Sequence, residues 1–282
     1  VLGERVGEDG VEAAVGEVEL LGVALGELDR HVRRSDPLRR LGRPVPCTDC
    51  RHSGLLAAGG CQPGDTCIRA DSGRQIDRFL RAHPEQAVAY LRDGFWERRA
   101  IAVRYAPLDA VRNLQGDTDE VVRRVVASRL PAQELTAMAR DPDREVRITV
   151  AQRLDPHHLL AMAADPDYMV RVVVARRLPH GKLPRLADDP EREVRKTVAQ
   201  RLPAFALGRL VQDAEADVRR VVAERALPQD AARLLGDDDW VVRLAAVRNA
   251  PREAARRALD DPEPDVRHAA WQRLAESSKE TP

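Results

Sequence analysis

The chain has 282 residues, 43% apolar and 33% charged, with 46 Lys and Arg balancing 46 Asp and Glu. Such a chain can bury a core and stay in solution, and its zero formal net charge excludes a bulk-basic nucleic-acid binder. Aromatics make up only 3%, which suits thin helical layers better than one large core.

In chain order, residues 1–36 come first. They carry nine acids against Arg5, Arg30, Arg33 and Arg34, a net of −5 that leaves the remainder near +5. This glycine-dotted acidic segment shows little periodicity, and its composition allows disorder. The stretch "VEAAVGEVELLGVALGEL" is broken by glutamates and lacks a basic leader, which argues against a secretory signal. No run approaches the roughly 18 apolar residues of a membrane span. The expected location is cytoplasmic, where clustered thiols bind metal more often than they form disulfides.

Residues 37–67 hold every cysteine in the chain, as Cys47, Cys50, Cys61 and Cys67 in the pattern C-x2-C-x10-C-x5-C. Cys47 and Cys50 are spaced to grip one centre together. Gly59-Gly60 and Pro63-Gly64 supply turns that return Cys61 and Cys67 to it. Zinc sites more often present two short chelating pairs, whereas four loosely spaced thiolates suit a [4Fe–4S] cluster at least as well. Both metals stay open on spacing alone. Arg51, Arg69 and Arg74 lie close in sequence to offset the negative charge of such a centre, and His52 reads as an incidental exposed histidine.

Residues 68–92 read as an adaptor, a degenerate unit with Arg69 where an aspartate is expected. Residues 93–276 then form eight copies of a 24-residue repeat, anchored at Arg98, Val122, Val146, Val170, Val194, Val218, Val242 and Val266; residues 277–282 are a tail. In each copy, apolar residues at the anchor and three, four and eight positions on share one face of a helix, as Val170, Val173, Val174 and Leu178 do. Asp141-Pro142, Asp165-Pro166, Asp189-Pro190 and Asp261-Pro262 are expected to start helices, with Asp as N-cap and Pro at the first helical position. A second, shorter element such as "AQELTAMAR" has room for one or two turns, with 3₁₀ as plausible as α winding. No stretch alternates as a strand does. The expected fold is all-α, a solenoid of stacked α-plus-short-helix units led by the four-cysteine segment.

Two polar positions recur in every copy: an aspartate five before the anchor (Asp93 to Asp261) and an arginine one after it (Arg99 to Arg267). A feature present in every unit serves the unit, so this pair reads as an inter-repeat clamp rather than a phosphate groove. A second arginine seven after the anchor (Arg129, Arg153, Arg177, Arg201, Arg225, Arg273) is missing from two copies and reads as the better candidate for an outward basic surface.

A four-cysteine segment followed by 24-residue V-R-x-x-V-A-x-R-L-P units resembles the leucine-rich repeat variant proteins of the iron–sulfur-containing type, over about residues 40–276. The resemblance implies a right-handed superhelix of alternating α and 3₁₀ helices and a [4Fe–4S] cluster on Cys47, Cys50, Cys61 and Cys67. It also implies a link to nitrogen-fixing bacteria, with no established activity. Arg98 in place of the anchor valine and Ala250 in place of leucine suggest looser units there.

Three roles follow as expectations: a protein-binding scaffold with the cluster as a structural or redox-sensitive cap, an electron-transfer accessory, and a nucleic-acid reader. Near-neutral charge and scarce rings count against the last. No Ser/His/Asp set, phosphate loop or carboxylate pair speaks for an enzyme, and His157-His158 occurs in one copy only.

Overall fold

A computed structural model describes residues 47–275 of the chain. The acidic segment 1–36, the start of the four-cysteine segment and the tail 277–282 lie outside the described residues. The regular elements of the described residues are all helices, with no strand among them; one isolated antiparallel bridge joins Gln62 to Thr66. Among them, no helix is long and apolar enough to cross a membrane. Chain contacts divide the molecule into two compact units, Val1–Val126 and Ala127–Pro282.

In the first unit, the cysteine loop leads into the helix Gly73–Ala82, a 3₁₀ helix Pro84–Tyr90 and the helix Trp96–Tyr105. Ile76, Phe79 and Leu80 lie on one face of the first of these and are fully buried. Asp77, also buried, accepts hydrogen bonds from Arg104 (2.8 Å), the Tyr105 hydroxyl (2.8 Å) and Arg81. One carboxylate thus ties the adaptor helix to the helix after it.

In the second unit, ten-residue α-helices (Arg144–Arg153, Tyr168–Arg177, Arg192–Arg201, Ala216–Arg225 and Trp240–Asn249) pack each against the next. None has the roughly 12–15 residues an isolated helix needs. Their stability comes from the face they bury: Val146, Val170, Val194, Val218 and Val242 are all inaccessible to solvent.

The connecting element takes two forms, and side-chain volume tracks the choice. Leu130, Leu178 and Leu202 precede purely 3₁₀ segments, Ala132–Arg140, His180–Leu186 and Ala204–Leu210, each of which buries a further leucine (Leu135, Leu183, Leu207). Ala226 and Ala250 precede one α-helical turn, Pro228–Ala231 and Arg252–Ala255, before the 3₁₀ turn, burying Ala231 and Ala255. The α turn is the wider winding, so the backbone fills the room that the missing methylenes leave. The two windings left open by the sequence are therefore both used.

The start of each helix differs from expectation. The repeated Asp-Pro pair lies in the turn before it: Asp141 accepts from the Asp143 backbone N–H at 2.9 Å, and Asp143 is the N-cap, accepting from Glu145 and Val146. Asp167 and Asp239 cap their helices likewise. The proline sets the turn and is not the first helical residue.

Moving the cap two residues on leaves the repeated aspartate for another partner. Arg147, Arg171, Arg195, Arg219 and Arg243 each grip the aspartate 18 residues later, with Nε–Oδ2 at 2.6–2.8 Å and Nη2–Oδ1 at 2.8–3.1 Å. The third nitrogen of each donates to the carbonyl of its own repeat's aspartate. These forked contacts with buried carboxylates are the inter-repeat clamp.

The second arginine series is not an outward basic surface. Arg177 donates to the Ala151 and Leu154 carbonyls at 2.8 Å, and Arg201 and Arg225 repeat the pattern one and two units on. Each places a cation against the carbonyls that the preceding helix leaves unpaired at its C-terminus. Where the arginine is missing, Asn249 makes the same two bonds to Ala223 and Ala226.

Candidate metal centre

The cysteine segment is shaped by short turns. A 3₁₀ turn, Cys47–Asp49, closes with Cys50 N–H on the Cys47 carbonyl at 3.1 Å. Residues three apart eclipse in that winding, so Cys47 and Cys50 fall on one side. The helix Ser53–Ala57 then ends at Gly59, whose φ of 72° favours glycine, and Gly60 N–H reaches back to the Leu55 carbonyl at 2.7 Å. A second reversal around Gly64 (φ 79°) pairs Gln62 with Thr66 and brings Cys67 back beside Cys61.

The result is a cavity of about 300 Å³, including space open to solvent. All four cysteines line it, with Leu56, Pro63, Ile68 and Phe79 among its other walls. The thiols are free and half-buried. Burial first, then the neighbouring Cys50, Cys67 and Cys47, push the Cys61 thiol above its ordinary pKa. Four thiolates this close repel one another unless a cation sits between them. Among the described residues, no three His, Cys, Asp or Glu side chains converge on a single-ion site. Four thiols around one cavity are a donor set suited to a sulfur-ligated metal centre.

His52 is not the exposed bystander that its neighbourhood suggests. It is 6% exposed, lines the same cavity, and its Nε2 lies 2.6 Å from the Tyr90 hydroxyl. Burial, then Arg51 and His83, lower its pKa, while burial pushes the Tyr90 phenol up to about 12. Phe79 lies between two imidazoles, with ring centres 5.0 Å from His52 and 5.1 Å from His83. His83 in turn donates through Nε2 to the Gly60 carbonyl at 2.6 Å. Both cysteine pairs are therefore pinned to the helix Gly73–Ala82 and the turn after it. The sequence reading missed Phe79, His83 and Tyr90, yet five of the chain's nine aromatic residues fall between positions 79 and 105. That crowding was the available signal. Of the three arginines proposed to balance charge, all are exposed, and Arg69 holds the Asp49 carbonyl at 3.1 Å.

The chain is similar to known proteins over both its cysteine segment and its repeats. Residues 37–89 match the family described as LRV protein FeS4 cluster, and residues 144–167 and 192–215 match the leucine-rich repeat variant. A solved structure described as a leucine-rich repeat variant with a novel repetitive protein structural motif is 54% identical, with a TM-score of 0.78 over 83% of this chain and 100% of that one. An uncharacterized 27.7 kDa protein in the nifB 3′ region of Rhodobacter capsulatus is 40% identical over 97 residues, 34% of this chain. The match spans only 40% of that relative's length.

Proposed function

The chain belongs to the leucine-rich repeat variant family, and on that premise we propose that Cys47, Cys50, Cys61 and Cys67 hold a [4Fe–4S] cluster beside a repeat scaffold that binds another protein. The observation that carries the cluster is four free thiols lining one cavity, in a segment that matches the FeS4 cluster family. A cluster takes one thiolate on each iron and so suits sulfurs spread around a space, where zinc draws its ligands to one atom. When bound, it supplies one-electron redox capacity and a rigid link among four points of the loop.

The chain's own residues do the rest. Phe79, Ile68 and Leu56 keep water from the inner wall, and His52 and His83 hold the two halves of the loop in register. The repeats supply the binding surface, a role that involves no catalytic step. Nucleic acid fits poorly, because the arginines at both repeated positions are spent on aspartates and carbonyls inside the stack. The half-exposed cysteines favour electron transfer as the second reading, since a docked partner would approach the cluster closely. The relative in a nifB 3′ region fits a setting in nitrogen fixation, and a cytoplasmic location suits reduced thiols.

Anaerobically purified protein is expected to be brown, with iron and acid-labile sulfide in equal amounts, and Cys61→Ser to lose both. Colourless protein with one zinc per chain would overturn the cluster. Reversible reduction would favour electron transfer over a purely structural cap. A protein partner bound reciprocally by tagged versions of each is the outcome the scaffold requires; its absence under cross-linking would remove that role.

A further inference from the structure

The repeat built around Val266 carries its arginine, Arg267, in the pose of the others: Nη1 donates to the Asp261 carbonyl at 2.6 Å and to the Pro262 carbonyl at 3.0 Å. Arg171, Arg195 and Arg219 make the same two backbone contacts while their Nε–Nη2 edges hold an aspartate. Among the described residues, no carboxylate lies on that edge of Arg267. The guanidinium is thus preorganised for a partner that every preceding rung of the unit possesses.

A second observation lies one turn along the same helical face. Five positions after the anchor, Ala151, Ala175, Ala199, Ala223 and Val247 are wholly buried, and the next unit reaches the carbonyls of the first four through Arg177, Arg201, Arg225 and Asn249. The corresponding residue here is Trp271, and it is 63% exposed. The register used by the preceding repeats would seat an incoming unit on a small aliphatic side chain, and an indole leaves no such room. Arg267 and Trp271 therefore present a forked donor beside an aromatic platform, a pairing common at the centres of protein interfaces.

We infer that this face is a docking site for a different protein, which presents an aspartate held in a helix-leading turn, of the kind the array uses internally, with apolar surface beside it. Charge complementarity selects a carboxylate, since a planar fork accepts two oxygens side by side. A second copy of this chain is a poor donor: Asp93, Asp117, Asp165, Asp189, Asp213, Asp237 and Asp261 are each already held by an arginine of their own chain. The inference rests on the scaffold reading and gives its partner a chemistry.

The test uses the full chain and a synthetic peptide of residues 186–197 (LADDPEREVRKT), which carries the aspartate that Arg171 grips. The indole N–H resonance of Trp271, assigned with Trp271→Phe, is followed by NMR. A saturable shift is expected, weakened at least tenfold by Asp189→Asn in the peptide and by Arg267→Gln in the chain. The Trp96 and Trp240 signals report that the fold is intact. No saturable shift, or equal binding of the Asn peptide, or unchanged binding by the Gln variant, would each overturn the site. Those results leave the tagged-partner experiment untouched, so failure of this site and failure of the scaffold role are distinguishable.

Discussion

Replacing Arg195 by methionine removes one rung while keeping the length of the stem. The guanidinium makes four contacts: Asp213 Oδ2 at 2.7 Å, Asp213 Oδ1 at 2.9 Å, the Asp189 carbonyl at 2.8 Å and the Pro190 carbonyl at 3.1 Å. Its side chain is 13% exposed and that of Asp213 only 3%. The substitution therefore strands a buried carboxylate, with the Glu215 backbone N–H as its remaining donor on Oδ1. Breaking a buried pair from one side costs about 3–5 kcal/mol, most of it the desolvated partner. For a unit of this size that corresponds to a fall in melting temperature of about 6–20 °C. Adding Asp213→Asn should recover part of the loss, because the stranded charge is gone. The assay is urea and thermal unfolding followed by circular dichroism on the single and double variants. A loss under about 1 kcal/mol would place the rung among surface ion pairs and refute the claim that these contacts hold the stack.

Acid should weaken the same array. Asp237, where burial is outweighed by the bond from Arg219, and Asp261, bonded to Arg243, hold their carboxyls below the ordinary value. Their contribution is full above the unfolded carboxyl pKa of about 3.9 and is lost as pH falls through the lower folded values. Stability measured from pH 6 down to 2 should drop below about pH 4, and a flat profile would contradict the pairing. Tyr90→Phe should cost about 1–3 kcal/mol by leaving the buried His52 nitrogen without its partner, read as a lower melting temperature of the cysteine-bearing unit. Gly73→Ala drives a methyl group onto the buried Glu97 carboxylate and should cost about 1–3 kcal/mol; a neutral result would mean that Glu97 moves aside freely.

The repeat was legible because its period is enforced by burial. Val170, Val173, Val174 and Leu178 must face one way, and that constraint is written in the chain itself. The aspartate–arginine rungs were legible for the same reason, since a clamp needed by every unit recurs in every unit. What recurrence could not show was direction. Arg177 sits at a position where a sequence shows only a charge, and whether it reaches water or the Ala151 and Leu154 carbonyls depends on the neighbouring helix end. Likewise, Asp141 and Asp143 are both good caps, and only the turn geometry assigns the cap to Asp143. At the cysteine centre the thiols announced themselves, while His52, Phe79 and Tyr90 did not. Their roles come from contacts across 27 to 38 positions that no local pattern encodes.

The handshakes between units point both ways along the chain: an arginine reaches forward 18 residues to an aspartate, and another reaches back 26 and 23 residues to spent carbonyls. Gain or loss of a whole 24-residue segment re-creates both at the new junction, whereas a change of a few residues misplaces both at once. Lineages carrying this architecture can therefore lengthen or shorten the array only in whole steps, and the number of rungs that hold it is quantised accordingly.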